Sequence, residues 1–208
     1  MHFMISVQTV GPQEFREGCG RLWDIAEQSF RPDLVVGIRS GGWWVAEKMK
    51  TARAPSGVVF VPLTCRRPTS DVKGKSPAFR LLLKALPYIV LDLLRLLEYY
   101  ALTLPRCRAV IKNGAGELRV PDTTEVDAVR IAAARLRPGA RVLVVDDSLD
   151  SGATLASVIK TLRPMLPADT AVRTAVFTVL GPAPIVDADF FLYRRINCRF
   201  PWSYDFHG

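Results

Sequence analysis

Hydrophobic positions along the chain switch between two spacings. Residues 12–30 set Phe15, Leu22, Trp23, Ile25, Ala26 and Phe30 at roughly helical intervals, with Pro12 near the start. Residues 32–38 (PDLVVGI) form a short β-branched run ending in polar and glycine residues, which reads as a buried strand. A turn at Arg39-Ser40-Gly41-Gly42 follows, with a helix from about Trp43 and a second strand over 57–64. Further along, residues 121–137 predict a threonine-capped helix and 141–145 a strand entering Asp146-Asp147. Residues 153–165 predict a helix and 171–180 another strand. Strands alternating with helices imply an α/β fold, a mostly parallel sheet flanked by helices and joined by right-handed crossovers.

Two stretches break the alternation. Residues 77–104 are Leu-rich and helical, divided by Pro87, with Arg80, Lys84, Asp92, Arg95 and Glu98 recurring three or four apart. Each helix then has one polar stripe and a wide apolar face to bury. A homodimer contact or an active-site cover fits that face; interfacial membrane binding would need a wider cationic one. Residues 183–208 are aromatic and irregular. With no repeat and no linker, the chain reads as one domain over 1–208. Its core covers about 20–65 and 106–181, its helical insertion about 77–104 and its C-terminal segment about 182–208.

Composition narrows the classes. The 208 residues are 49% hydrophobic and 23% charged, which excludes collagen-like and wholly disordered chains. Cys19, Cys65, Cys107 and Cys198 are far apart with no Cys-x-x-Cys pair, so a disulfide scaffold or zinc ribbon is not expected. His2 and His207 lie at the two ends, leaving little for a histidine-based centre. No signal-like start and no run of about 18 apolar residues is present, so the expectation is a cytoplasmic protein. The net charge of +8 fits nucleic acid, an anionic surface or a polyanionic substrate.

The chemistry concentrates at residues 142–154, VLVVDDSLDSGAT. A buried strand delivers Asp146 and Asp147 to its C-terminal edge, where ligands bind in open α/β sheets. Asp150 follows, then a small-residue turn, Ser151-Gly152-Ala153-Thr154, opening a helix. Backbone N–H groups, hydroxyls and the positive end of the helix dipole suit a phosphate there. The carboxylates would repel a bare phosphate; they suit sugar hydroxyls or a magnesium-bound diphosphate on the same ligand. A helix cap alone needs fewer acids. The segment lacks the lysine of a Gly-x-x-x-x-Gly-Lys loop. It also has Ser151 and Ser157 where an EF-hand needs glycine and glutamate.

Residues 142–154 resemble the 5-phosphoribosyl-1-diphosphate (PRPP) motif of the type I phosphoribosyltransferases, and Gly37-Ile38-Arg39-Ser40-Gly41-Gly42 resembles their diphosphate loop. The resemblance implies that family's fold, with a C-terminal hood and here an added Leu-rich helical insertion. It implies a pentosyltransferase that moves phosphoribosyl from PRPP to a nitrogenous base, releasing diphosphate, as in nucleotide salvage. Asp146 and Asp147 would hold the ribose hydroxyls and, through PRPP and water, Mg2+. Ser148 lies between them and Asp150, within the same PRPP-binding motif. Asp150, Ser151, Gly152, Ala153 and Thr154 would wrap the 5-phosphate, Asp150 also lying near the reacting base nitrogen. Arg39, Ser40, Gly41 and Gly42 would meet the diphosphate, although Ser40 stands where many relatives have a glycine-preceding arginine. Arg66, Arg67, Lys73 and Lys75 are candidates for a lid.

The C-terminal segment resembles the hood of xanthine- and guanine-type members, with Phe200 and Trp202 as base-binding candidates. Purine is therefore the first reading of the acceptor. The stacking ring of those enzymes falls near Asn197 or Cys198, and their base-reading lysine near Val179 or Leu180, so a non-purine acceptor in a specialised biosynthetic enzyme stays open. A PRPP-sensing regulator that binds nucleic acid is the other alternative. Residues 66–112 hold ten Lys or Arg against three acids, a surplus of seven that nearly accounts for the net charge. That clustering favours a diphosphate-bearing substrate over nucleic acid. The expected partners are PRPP, a small-molecule base and a second copy of the chain.

Overall fold

A computed structural model of the protein describes residues 5–65, 83, 85–103, 123–181 and 184–207. The chain forms two compact units: Met1–Phe15, Arg67–Leu118 and Arg195–Gly208 make one, Arg16–Arg66 and Arg119–Arg194 the other.

The larger unit is built on five parallel strands: β2 (Leu34–Arg39), β3 (Val59–Thr64), β4 (Arg141–Leu149), β5 (Ala171–Val179) and β6 (Phe190–Arg194). Their order is β3-β2-β4-β5-β6. The helices are α1 (Pro12–Ser29), α2 (Gly41–Ala52), α4 (Thr123–Ala133) and α5 (Ala153–Leu162), the last running into a 3-10 turn at Arg163–Met165; α3 (Tyr88–Thr103) lies in the smaller unit. Strands with both faces covered are apolar throughout, and β2 and β4 are buried along most of their length. Leu34, Val36, Val142, Val144 and Val176 join Val129 of α4 and Val158 of α5 in one core layer. On the opposite face Gly37 lets α2 settle onto β2, where a Cβ would stand 2.9 Å from that of Ala46. Gly18 of α1 likewise faces the Phe177 ring of β5.

The chain leaves β2 toward β3 and leaves β4 toward β5, so connections depart in opposite directions on either side of the β2–β4 pair. Such a switch point opens a crevice at the carboxyl ends of the strands. The ladders mark where it opens. The β2–β4 pairing stops at Gly37–Val145, while β2 stays paired with β3 to Arg39–Thr64 and β4 with β5 to Leu149–Val179.

In the smaller unit β1 (Ser6–Thr9) runs parallel to β7 (Ile196–Arg199). Helix α3 starts just after Pro87, whose ring suits a helix start and not a helix interior. Asp92 and Arg95 of α3 are paired within the smaller unit, while Glu98 is exposed. Asp92 pairs with Arg199 at 2.6 Å and Arg95 grips Asp205 through two bonds of 2.7 Å. Meanwhile Ile89, Leu93 and Leu97 stand exposed.

Three differences from the sequence pattern have physical causes. Helix α2 begins at Gly41, two residues earlier than Trp43, because both glycines lie in its first turn against β4. Strand β4 runs on through Asp146, Asp147 and Ser148, since β5 pairs with it along that length. The C-terminal region, irregular by periodicity, holds β6, which adds to the preceding strand β5, and β7, which adds to β1 at the other end of the sequence.

Candidate functional site

Strand β4 carries the central residues past the end of the β2 ladder. Asp146 and Asp147 both lie against the first turn of α2, Asp146 beside Gly42 and Asp147 beside Gly41. Asp146 is buried, and its Oδ1 accepts the Asp147 N–H at 2.9 Å. Asp147 is half-buried and its Oδ1 meets the Ser148 hydroxyl at 3.4 Å. The N-terminus of α2 closes over both. A Cβ on Gly41 would fall onto the Asp147 carboxylate, and one on Gly42 onto the Val145 carbonyl and 2.6 Å from Asp146 Cα. Only residues without a side chain allow a helix N-terminus to approach so closely.

The second arm of the site is the turn after β4. Asp150 and Ser151 are exposed, Gly152 is buried, and Ala153 and Thr154 are half-buried at the start of α5. Gly152 has φ +75°, the left-handed region where a side chain is strained. Its Cα also lies against the Val186 backbone, whose N and O would be 2.8 Å from any Cβ. The Ser151 carbonyl accepts the Ile185 N–H at 2.9 Å, and a Cβ on Gly181 would collide with the Asp150 carbonyl. Gly181, Ile185 and Val186 thus brace the turn, a contribution with no sequence motif to announce it.

At the end of β2 the Arg39–Ser40 peptide bond is cis. Ser40 is exposed and its carbonyl accepts the Trp44 N–H at 3.3 Å. Arg39 Nε pairs with Glu125 Oε1 of α4 at 2.8 Å, and the other carboxylate oxygen of Glu125 accepts the Thr64 N–H. Sequence reading missed Glu125, taking the Thr-Thr-Glu start of its helix only as a cap.

The structure therefore brings Arg39, Gly41, Gly42, Asp146, Asp147 and Ser148 to one crevice end, with Asp150–Thr154 continuing from the same strand. Arg66, Arg67, Lys73 and Lys75 lie outside the described residues. Phe200 and Trp202 belong to the smaller unit. There Phe200 is buried, stacked on the half-exposed Trp202 at 4.7 Å with Phe15 edge-on to both. Asn197 Oδ1 accepts an N–H of Arg95 at 3.1 Å, and the Cys198 carbonyl accepts another at 3.2 Å.

A switch-point crevice with paired carboxylates on one strand and two glycine-lined helix N-termini defines an α/β protein built for a phosphorylated, hydroxyl-bearing ligand. A family model described as phosphoribosyl transferase domain matches residues 89–205, more than half of the chain, and the chain belongs to that family. It is a phosphoribosyltransferase, using PRPP as donor. Among solved structures it is similar to a purine phosphoribosyltransferase from Pyrococcus horikoshii (TM-score 0.54, 15% identity, covering 94% of this chain and 93% of that one). It is also similar to a xanthine-guanine-hypoxanthine phosphoribosyltransferase from Helicobacter pylori (0.54, 15%, 95% and 94%). A third is a hypothetical protein from Neisseria gonorrhoeae with bound ppGpp (0.53, 17%, 97% and 91%). At these identities the likeness is one of type I fold. No curated protein matches the sequence. Among the described residues no helix is long and apolar enough to cross a membrane.

Proposed function

We propose that the enzyme transfers phosphoribosyl from PRPP to a purine base, with Asp146, Asp147 and the 150–154 turn as its ribose-phosphate site. The observation that carries this is the closure of the Gly41-Gly42 helix start onto the Asp146-Asp147 pair. It sets two carboxylates for ribose hydroxyls next to N–H donors for anionic oxygens. Ser151, Gly152, Ala153 and Thr154 at the start of α5 take the 5-phosphate, favoured by the helix dipole. Arg39, Ser40 and Gly41 face the diphosphate. As the bond from the anomeric carbon to the diphosphate oxygen breaks, its electron pair leaves with diphosphate and the bond to the base nitrogen forms. Asp150 takes the proton that the base nitrogen loses, and Asp146 and Asp147 steady the positive charge that builds on the ribose.

Among the described residues no three His, Cys, Asp or Glu side chains cluster as a metal cage. Two adjacent carboxylates fit Mg2+ instead in its usual manner, held by one or two protein oxygens together with substrate oxygens and water. Mg2+ bound there would neutralise charge on the departing diphosphate. The purine assignment rests on the resemblance of residues 182–208 to the hood of xanthine- and guanine-type members.

Incubating the protein with Mg2+ and PRPP and following diphosphate release across a panel of bases tests the activity; release with a purine is expected, and release with no base refutes the reading. D146N/D147N should weaken PRPP binding by calorimetry roughly 10- to 100-fold, the scale of losing charged hydrogen bonds. Undiminished affinity refutes the site.

A further inference from the structure

We propose that Glu125 is a positioning residue that holds Arg39 ready for the diphosphate of PRPP. The inference rests on the reading of the site given above. Arg39 and Thr64 are register partners, the last pair of the β2–β3 ladder and two residues beyond the last β2–β4 pair. Glu125, in the first turn of α4, ties the two ends together, one carboxylate oxygen on Arg39 Nε and the other on the Thr64 N–H. The side chain of Glu125 is 19% exposed and that of Arg39 48%, so the pair is anchored on the protein side and open on the other.

The way Arg39 is held matters. A guanidinium offers five N–H donors in a rigid fork. Glu125 takes only the Nε edge, and among the described residues no hydrogen bond engages the two Nη nitrogens. The fork is therefore aimed and still has donors for phosphate oxygens. A free arginine loses much rotamer freedom when it binds a ligand; one already fixed by a carboxylate loses less, and the difference appears as affinity. Sharing the carboxylate with the Thr64 backbone makes the aim rigid, because Glu125 itself cannot swing away without exposing a β3 N–H.

The opposite role is physically available. If Glu125 instead competed with diphosphate for Arg39, removing its charge would strengthen binding. The two roles predict opposite signs.

PRPP affinity in the presence of Mg2+ is measured by calorimetry on the full chain for wild type, E125Q, R39A and R39A/E125Q, with thermal unfolding alongside. E125Q keeps an oxygen for the Thr64 N–H and so preserves the fold. A partly exposed charge pair predicts about fivefold weaker PRPP binding for E125Q. In the R39A background the same change should have less than about a twofold effect, which a merely structural role would not produce. Unchanged or tighter binding by E125Q, or an equal loss in the R39A background, overturns this inference and leaves the PRPP site standing. Absence of PRPP binding by wild type overturns both.

Discussion

At the scale of single residues, Gly41 decides how closely α2 approaches Asp147. Gly41 has no room for a methyl group, because its Cβ direction runs into the Asp147 carboxylate. G41A must push α2 away from β4 or turn Asp147 out of the crevice, an overpacking cost of about 1–3 kcal/mol. Gly57 has nothing within 4 Å of its Cβ direction and serves as the matched control. The expected outcome is that G41A lowers the unfolding midpoint and weakens PRPP binding at least tenfold, whereas G57A leaves both near wild type. Equal PRPP affinity in the two variants would show that the close approach of α2 has no part in binding. The carboxylate run and the Ser-Gly-x-Thr turn were legible in the sequence, because chemistry of that kind requires adjacent residues. Glu125, Gly181 and the Val186 backbone were not, because each acts on the site from a remote stretch of chain with no spacing rule between them.

At the scale of elements, the buried charge cluster that joins α3 to β7 is the feature periodicity could not show. Arg199 is 1% exposed and is held by Asp205, Asp92 and the Thr9 hydroxyl, with its guanidinium over the Tyr88 ring at 4.5 Å. Burial alone would raise the Asp205 carboxyl, but N–H donors from Arg95 and Arg199 outweigh it and hold it at about 2. Folded Asp205 is thus more acidic than an unfolded aspartate, near 3.9. Its stabilisation is complete above about pH 4 and is lost as pH falls toward 2, amounting to about 2 kcal/mol. D205N should cost about 3 kcal/mol at pH 7, since it leaves two arginines short of their carboxylate. It should also flatten the acid limb of urea midpoints measured between pH 4 and 2; an unchanged acid limb would remove Asp205 from the account. The helical character of α3 and its start after Pro87 were read correctly from the sequence, while its orientation was not. Asp92 and Arg95 looked like a solvent stripe because their partners are about a hundred residues away in sequence. The five core strands other than β6 were legible as apolar runs. β1 and β7 are short and half-polar, and only their pairing with each other across the sequence defines them.

At the scale of the whole molecule, a net charge of +8 accompanies a site whose own side chains are largely acidic. The surplus sits between residues 66 and 112, where ten Lys or Arg face three acids in composition. Two of these charges, Asp92 and Arg95, are consumed in the α3 cluster. The composition of residues 66–112 leaves a surplus of seven positive charges. A field of that sign raises the encounter rate with a multiply charged anion such as PRPP more than it lengthens the life of the complex, and salt screens it over about 10 Å at 0.1 M. Association of PRPP followed by stopped flow should therefore slow about tenfold between roughly 0.02 and 0.5 M salt, with the dissociation rate nearly constant. K73Q/K75Q should lower the low-salt association rate about threefold and shrink its salt dependence, leaving dissociation unchanged. If both lysines instead contact bound diphosphate, their loss will appear in the dissociation rate and persist at high salt. A nucleic-acid ligand would leave a different mark: affinity for RNA falling as a steep power of salt concentration, with no diphosphate released from PRPP by any acceptor.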